Sequence, residues 1–192
     1  TLSREENVIT VSKPAFKVTC NYKQDENGIY FKTNASDFTF HIDILGEHQA
    51  LNAMAALSCA YKLGMSEEEM QAGFDKMEKT KMRNELMRIK NAKILNDAYK
   101  SNPQSAKAAL DTFALFESPY KIAILADMLD LGPTTKSLHY DLGYSLKAYE
   151  LDEVVCMGEL GKDIAEGAIA CGVKFIVSPG LSKSVPEYPS ST

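Results

Sequence analysis

Three short segments in the first part of the chain are strand-like, and the last of them alternates between apolar and polar residues with the period of a β-strand. They are residues 16–22, 28–32 and 38–44. In the last segment Phe38, Phe40 and Ile42 alternate with polar side chains, so one face is predicted to be buried and the other exposed. Asn27 and Gly28, between the first two segments, form a strong turn signal. The pattern predicts an antiparallel sheet.

The hydrophobic period becomes helical after Gly46. The residues predicted to share one buried helix face are Leu51, Met54, Ala55, Ser58 and Cys59. Gly64 is placed to end this helix in the left-handed conformation. A second helix is predicted to begin at once, with Ser66 and Glu69 as a capping box. The residues expected at helical spacing behind that cap are Met70, Phe74 and Met77.

The second half of the chain alternates between strand and helix patterns. Strands are predicted at residues 92–96, 121–126, 153–157 and 174–177, and helices at residues 103–116, 136–149 and 160–171. Such alternation is typical of α/β proteins with a parallel sheet and crossover helices. We therefore predict two domains, residues 1–80 and 81–192, with an irregular tail at residues 178–192 that is rich in serine and proline.

Composition excludes several classes of function. The hydrophobic content of 45% is enough for a globular core, and a formal net charge of -5 gives no general attraction to nucleic acid or anionic membranes. No apolar run is long enough to cross a bilayer, and residues 1–6 do not resemble a signal peptide. The expected location is therefore the cytoplasm.

Cysteine and histidine spacing gives no sign of a disulfide framework or a metal site. The four cysteines, none in CxxC spacing, are Cys20, Cys59, Cys156 and Cys171. We expect them to be reduced residues of the core. The three histidines lie far apart in the sequence, and none pairs with a cysteine as a zinc site would require.

Two predicted strands end in acidic residues, where an open parallel sheet binds ligands. Asp97 follows the first strand, and it either accepts hydrogen bonds that fix its loop or binds a ligand hydroxyl. Asn102 and Pro103, just beyond, suit the cap and first position of a helix. Asp127 follows the second strand, and it either contacts a ligand or caps a helix or turn.

Two further positions are candidates for anion or ligand binding. His48 and Asn52 are four residues apart at the start of the first helix, so they lie on one face near unpaired backbone N–H groups. A histidine at such a place also serves for capping or packing. Arg83 lies at the predicted domain boundary, where it is either a solvated linker charge or a clamp for phosphate.

Three motifs together resemble the Mur ligase family. Residues 46–56, GEHQALNAMAA, resemble the G-x-H-N-x-x-N-A-x-A-A helix start of its central domain. Residues 96–103, NDAYKSNP, and residues 127–132, DMLDLG, with His139 downstream, resemble motifs of the branch that adds D-alanyl-D-alanine. The resemblance runs from about residue 28 to residue 177. It implies a strand and helix-pair part of the central ATPase domain, followed by a Rossmann-like C-terminal domain.

The resemblance also implies an activity. Members of the family phosphorylate a carboxylate with ATP and Mg²⁺, and an amine then attacks the acyl phosphate. For this branch the expected acyl donor is UDP-N-acetylmuramoyl-tripeptide and the expected amine is D-alanyl-D-alanine, in the synthesis of peptidoglycan precursors. The motif positions that correspond to nucleotide contacts are His48, Gln49, Asn52, Arg83 and Asp97, and those that correspond to substrate contacts are Tyr99, Lys100, Asn102, Asp127 and His139.

Within that set, the resemblance implies that Gln49 and Asn52 meet the adenine, Arg83 the phosphates and Asp97 the ribose. Gln49 and Lys100 stand where asparagine is usual in the motifs, and Ala126 replaces the glycine before Asp127. Gln49 lengthens the amide by one methylene, which predicts a weaker adenine contact.

No G-x-x-G-K-T loop occurs in these 192 residues. The expectation is therefore a part of a ligase that is inactive by itself, with no metal ligands of its own. The alternative readings are a non-catalytic Rossmann-like module that binds a small molecule, and a ligase of the folylpolyglutamate branch, which would carry a different motif in place of residues 96–103.

Overall fold

The computed structural model describes residues 7–13, 16–173 and 176–177, with side chains at residues 21–173 and 176. This part of the chain divides into two compact units. The first consists of the described residues up to Tyr99 together with Leu115–Glu117, and the second of Lys100–Ala114 with the described residues from Ser118 onward. Each unit has a hydrophobic core of its own. The predicted domain boundary near residue 80 lies earlier than this division by contacts, and it stays a prediction.

The first unit begins with a four-stranded antiparallel meander, as the alternating pattern predicts. Its strands are β1 (Asn7–Lys13), β2 (Phe16–Asp25), β3 (Gly28–Thr33) and β4 (Ser36–Ile42). The Asn27 turn is confirmed, with the Asn27 N–H donating to Asp25 Oδ1 at 2.7 Å and Asp25 opposite Gly28. β1 was not predicted, because its apolar residues Val8, Ile9 and Val11 do not alternate strictly.

Two helices cover this sheet, α1 (Glu47–Lys62) and α2 (Glu67–Asp75). The capping box is confirmed: the Glu69 N–H donates to Ser66 Oγ at 3.2 Å, and the Ser66 N–H donates to Glu69 Oε2 at 2.9 Å. Gly64 has a φ of 77°, in the left-handed region as predicted. The shared core of sheet and helices includes Ile29, Phe31, Phe40, Ile42, Met54, Leu57 and Met70.

The predicted face of α1 is buried at Met54 and half-buried at Ser58, but the prediction is wrong at its other three residues. The residues that α1 buries are Ala50, Ala53, Met54 and Leu57. Leu51, Ala55 and Cys59 are exposed instead. Small and apolar residues occur on both sides of this helix, so periodicity alone could not select the side that faces the sheet.

A two-stranded antiparallel hairpin follows, β5 (Glu85–Ile89) and β6 (Ala92–Asn96). Lys90, at the turn, has a φ of 53°. The bounds predicted for β6 are confirmed, but its assignment to the parallel sheet is wrong, because it pairs only with β5 among the described strands. Arg88 and Lys93, on the two strands, both form exposed ion pairs with Glu26 in the β2–β3 turn.

The second unit confirms the α/β class. Its elements are α3 (Pro103–Ala114), β7 (Ile122–Leu125), α4 (Thr135–Ser145), β8 (Glu153–Cys156), α5 (Gly161–Ala170) and β9 (Ile176–Val177), with short 3-10 turns before and after α4. The sheet is parallel, in the order β7-β8-β9. Leu110, Leu142, Val154 and Ile164 bring helices and sheet into one core. The predicted tail at residues 178–192 lies outside the described residues.

The cysteines differ in burial. Cys156 is buried in the second core, and this burial raises the pKa of its thiol to about 12. Cys171 is half-buried, whereas Cys59 is exposed, so its predicted place in the core is wrong. The side chain of Cys20 lies outside the described residues. None of the helices in the described ranges is both long enough and apolar enough to cross a membrane.

Candidate functional site

The first unit brings Asp97 next to a turn that lies 13 residues earlier. Asp97 follows β6 directly, and the Asn84 N–H donates to its Oδ1 at 3.0 Å. The carboxyl group is half-buried, and this burial raises its pKa. The Asn84 hydrogen bond and the nearby charges of His48 and Arg83 oppose that rise. Asp97 therefore lies in a partly desolvated place, near the guanidinium of Arg83 and the imidazole of His48.

Arg83 projects from a tight turn beside Asp97. Its flanking residues Met82 and Asn84 have φ values of 60° and 45°, so both take the left-handed conformation. The Tyr99 N–H donates to the Met82 carbonyl at 3.1 Å, which joins this turn to the segment after β6. The Arg83 guanidinium lies 4.5 Å from the centre of the Tyr99 ring, as in a cation–π pair. Tyr99 itself is 60% exposed.

The start of α1 lies next to the same turn. Gly46 precedes the helix with a φ of 105°. A Cβ built on it would lie 2.7 Å from His48 Cε1 and 3.4 Å from Asn84 Nδ2. The absence of a side chain at Gly46 thus lets the imidazole and the Asn84 carboxamide approach the same point. His48 remains exposed at the surface.

We call His48, Arg83, Asn84, Asp97 and Tyr99 the Asp97 cluster. Sequence reasoning selected four of its members and missed Asn84. This residue is 5% exposed, and its side-chain Oδ1 has no hydrogen-bond partner among the residues that the structure describes. Neither burial nor a positive φ of an asparagine is visible in a sequence. The available signal was its position directly after Arg83.

The two predicted adenine contacts lie farther along α1. The Asn52 Nδ2 donates to Gln49 Oε1 at 3.1 Å, and Gln49 is half-buried while Asn52 is exposed. The Gln49 N–H donates to the Gly46 carbonyl at 2.9 Å, as expected at a helix start. The two carboxamides thus orient one another on the accessible side of the helix.

In the second unit, Asp127 caps a helix. Its Oδ1 accepts from the N–H groups of Leu160 at 2.9 Å and Gly161 at 3.0 Å, and its Oδ2 accepts from Glu159 at 3.1 Å. Gly158, with a φ of 89°, leaves room for this contact, because a Cβ there would lie 2.3 Å from Asp127 Oδ1. Asp127 thus acts as a cap at the start of α5, as predicted for its structural role.

His139 is fully buried beneath the loop that follows Asp127. The Met128 N–H donates to its Nε2 at 2.8 Å, so Nε2 carries no hydrogen. Nδ1 then carries the hydrogen and donates to the Thr135 carbonyl at 2.6 Å. The imidazole thus joins the 128 loop to the first turn of α4, and both of its ring nitrogens are hydrogen-bonded within the chain.

The remaining candidates of the second unit lie near the start of α3. Asn102 Oδ1 accepts from the N–H groups of Gln104 at 3.0 Å and Ser105 at 2.9 Å, so Asn102 is the helix cap. Lys100 Nζ lies 3.4 Å from Asp130 Oδ2, in an exposed ion pair. Across the described ranges, no group of three or more histidine, cysteine or acidic side chains is arranged to hold a metal ion.

Comparison with known proteins agrees with these motifs. The profile of the family described as "Mur ligase, glutamate ligase domain" matches residues 82–185. The chain is 37% identical over 148 residues to the UDP-N-acetylmuramoyl-tripeptide--D-alanyl-D-alanine ligase of Bacillus subtilis, a match that covers 76% of this chain and 32% of that protein. It is 27% identical over 142 residues to the enzyme of that name from Escherichia coli, with 68% and 31% covered.

Solved structures show the same fold. MurF from Acinetobacter baumannii superimposes with a TM-score of 0.72 at 25% identity, over 82% of this chain and 34% of that one. MurF ligase from Thermotoga maritima, solved in complex with ADP, gives 0.63 at 19% identity over 89% and 42%, a likeness of fold alone. The chain spans about a third of the length of the curated relatives it matches.

Proposed function

The chain belongs to the Mur ligase family, and we propose that it supplies part of the nucleotide site of a cytoplasmic, ATP-dependent ligase. The proposed reaction joins D-alanyl-D-alanine to UDP-N-acetylmuramoyl-tripeptide during the synthesis of peptidoglycan precursors. Relatives that carry the name of this ligase support the proposal. So do the NDAYKSNP and DMLDLG motifs, which resemble those of the D-alanyl-D-alanine-adding branch.

The observation that carries the proposal is the convergence of three separate segments on Asp97. The start of α1, the turn around Arg83 and the segment after β6 are far apart in sequence, yet they place a carboxylate, a guanidinium and an imidazole together. A structural role for Asp97 would need only its bond to the Asn84 N–H. It does not account for the accumulation of cationic and aromatic side chains around that bond.

Side chains in and near the Asp97 cluster suit different parts of ATP. Asp97 Oδ1 is occupied by the Asn84 N–H, and within the described part of the chain Oδ2 makes no hydrogen bond, so it is available to a ribose hydroxyl. Arg83 offers planar, charge-assisted hydrogen bonds to phosphate oxygens. The carboxamides of Gln49 and Asn52 can read the edge of the adenine, with His48 beside them.

The reaction has two balanced steps. A carboxylate oxygen of the muramyl peptide attacks the γ-phosphorus, and the bond to the bridging oxygen breaks to release ADP. The amine of D-alanyl-D-alanine then attacks the acyl carbon, the carbon–oxygen bond breaks, and phosphate leaves as the nitrogen loses its proton. Arg83 stabilises negative charge as it develops on the transferred phosphoryl group.

We assign no Mg²⁺ ligand to this chain. The resemblance to the family implies Mg²⁺ with ATP in the whole ligase, and a magnesium site needs several oxygen ligands around one point. The described residues contain no such group.

The substrate-facing positions divide into two kinds. Tyr99 is exposed, and we propose that it contacts the nucleotide or the incoming dipeptide directly; Lys100 is exposed as well, although it is paired with Asp130. We propose that Asn102, Asp127 and His139 act indirectly, because their polar atoms are engaged in capping or fastening loops. Their contribution would be to hold the ends of α3, β7 and α5 in place.

The test is calorimetric titration of the 192-residue chain with ADP, for the wild type and for Asp97→Ala. We expect the variant to bind about tenfold more weakly or worse, as loss of a hydrogen bond to a charged group implies. Asp37→Ala is the matched control, since it removes an exposed carboxylate of β4 in the same unit. Equal affinity of wild type and Asp97→Ala would refute the ribose role.

A further inference from the structure

The carboxamide of Asn84 is buried but has no hydrogen-bonding partner in the described part of the chain. Asn84 is 5% exposed, and its Oδ1 is inaccessible and unpaired. Buried polar groups are nearly always paired, because an unpaired one has lost its hydrogen bonds to water. The oxygen is out of a ligand's reach where it stands, so the carboxamide can offer it to a ligand only by turning.

The position of Asn84 limits what that ligand can be. The backbone N–H of Asn84 donates to Asp97 Oδ1. The Asn84 side chain is therefore attached to a backbone segment in contact with the proposed ribose-binding carboxylate. Its Nδ2 lies near Gly46 and His48. The ligand group must therefore lie close to the hydroxyl that Asp97 is proposed to bind. It must also be a hydrogen-bond donor, because Asn84 Oδ1 is an acceptor.

The vicinal diol of a ribose meets both requirements. Its two hydroxyls lie on adjacent carbons, so two acceptors that are neighbours in the protein can bind one hydroxyl each. We propose that Asn84 is a second ribose-binding residue, whose carboxamide oxygen accepts from the hydroxyl adjacent to the one that Asp97 binds. This inference rests on the proposed nucleotide function of the Asp97 cluster.

The carboxamide can present its oxygen with little rearrangement. The torsion about its Cβ–Cγ bond is soft, with two broad wells, so half a turn exchanges the positions of Oδ1 and Nδ2. The turning oxygen breaks no hydrogen bond with the described residues. The NH2 group takes its unpaired position, a cost that the bond between the oxygen and the hydroxyl has to offset. The backbone N–H that holds Asp97 does not move in this rotation.

The wild-type chain provides the first measurement. Calorimetric titrations with ADP, 2′-deoxy-ADP and 3′-deoxy-ADP show how many hydroxyls the site recognises. Two acceptors predict that each deoxynucleotide binds several-fold more weakly than ADP, about fivefold for one ordinary hydrogen bond. A loss confined to one deoxynucleotide would leave no hydroxyl for Asn84 and would overturn the inference without any variant.

The second measurement uses Asn84→Gly, which removes the carboxamide but keeps the backbone N–H and tolerates the positive φ. We expect this variant to bind ADP only as tightly as the wild type binds one of the two deoxynucleotides. The variant should then bind ADP and that deoxynucleotide with equal affinity. Discrimination against the other should remain, because Asp97 supplies it. Unchanged discrimination against both in Asn84→Gly would show that only the backbone of Asn84 matters.

The two proposals fail differently. If Asp97→Ala weakens ADP binding while Asn84→Gly binds and discriminates as the wild type does, the ribose role of Asn84 is wrong and the nucleotide function stands. If ADP binds the wild type and Asp97→Ala equally, the ribose site is misassigned and the role of Asn84 is overturned with it. Thermal unfolding of each variant verifies that the chain remains folded.

Discussion

The Asn84 N–H donates to Asp97 Oδ1 at 3.0 Å, and this bond joins the Arg83 turn to the end of β6. One oxygen of the carboxylate is thereby fixed in direction, while the other makes no hydrogen bond within the described part of the chain. Asp97 thus supports the fold, and its second oxygen carries the proposed ligand role. The two contributions can be separated, because asparagine at position 97 retains the acceptor and loses the charge.

We predict that Asp97→Asn is at least as stable as the wild type at neutral pH. Burial raises the pKa of Asp97 above the ordinary 3.8, so between that value and the folded pKa the folded chain binds more protons than the unfolded chain. The free energy of unfolding of the wild type therefore falls as pH rises through this window. In Asp97→Asn this decrease in the free energy of unfolding is absent, because the amide does not titrate.

Urea unfolding at several pH values between about 4 and 7 measures this difference. The stability of the wild type relative to Asp97→Asn should decrease as pH increases. Asp37→Asn is the control, because it also removes one carboxylate but an exposed one. Parallel pH profiles for the wild type and Asp97→Asn would contradict the desolvation of Asp97.

The Asp97 cluster also shows what the sequence could predict and what it could not. Local signals were reliable: the Ser66 capping box, the Asn27 turn and the Asn102 cap all depend on residues a few positions apart, and the structure contains each of them. The motifs placed His48, Arg83 and Asp97 in one site through resemblance, not through any contact visible in the sequence.

Pairing between distant segments was less predictable. The strand at residues 92–96 was located correctly, but an apolar segment of five residues fits an antiparallel hairpin as well as a parallel sheet. The buried face of α1 was misjudged because alanines occur on both of its sides. Asn84 was missed because its burial arises only when the turn meets the start of α1.

We predict that Gly158→Ala destabilises the second unit more than Gly172→Ala does. Both glycines have a φ of 89°, so both variants carry a similar backbone strain of about 1–2 kcal/mol. A Cβ at Gly158 would in addition lie 2.3 Å from Asp127 Oδ1, whereas at Gly172 it meets nothing within 4 Å. The difference between the variants thus isolates the cost of displacing the Asp127 cap.

Chemical denaturation of both variants tests this prediction. The excess loss in Gly158→Ala should be about 1–2 kcal/mol, the typical value of a helix cap. Asp127→Ala should remove most of that excess, because the clashing carboxylate is gone. Equal losses at the two glycines would show that the α5 cap contributes little.

We predict that His139→Ala costs roughly 2–4 kcal/mol of stability, since it leaves a cavity and removes the partners of the Met128 N–H and the Thr135 carbonyl. His48→Ala is the control, because the same substitution removes an exposed imidazole. Hydrogen exchange gives the local readout, with faster exchange expected at the Met128 amide. A slow amide in a stable His139→Ala variant would argue that the loop is held by other contacts.

Arg83→Ala should weaken the binding of ATP and ADP but not that of adenosine, because Arg83 is proposed to contact phosphate alone. The expected loss for ATP is about tenfold or more, as for a charge-assisted hydrogen bond. Stability should change little, since the side chain is exposed and its main contact is the exposed ring of Tyr99. Lys81→Ala is the matched control, with the same loss of charge two residues earlier.

The comparison across ligands separates a phosphate clamp from general electrostatic attraction. If Lys81→Ala weakens ATP binding as much as Arg83→Ala does, attraction by the net charge of the segment explains the affinity. If adenosine is also lost in Arg83→Ala, the guanidinium acts through Tyr99 or Asp97 instead of through phosphate. Only a loss that requires phosphate and is specific to position 83 agrees with a guanidinium that binds the phosphates of the nucleotide.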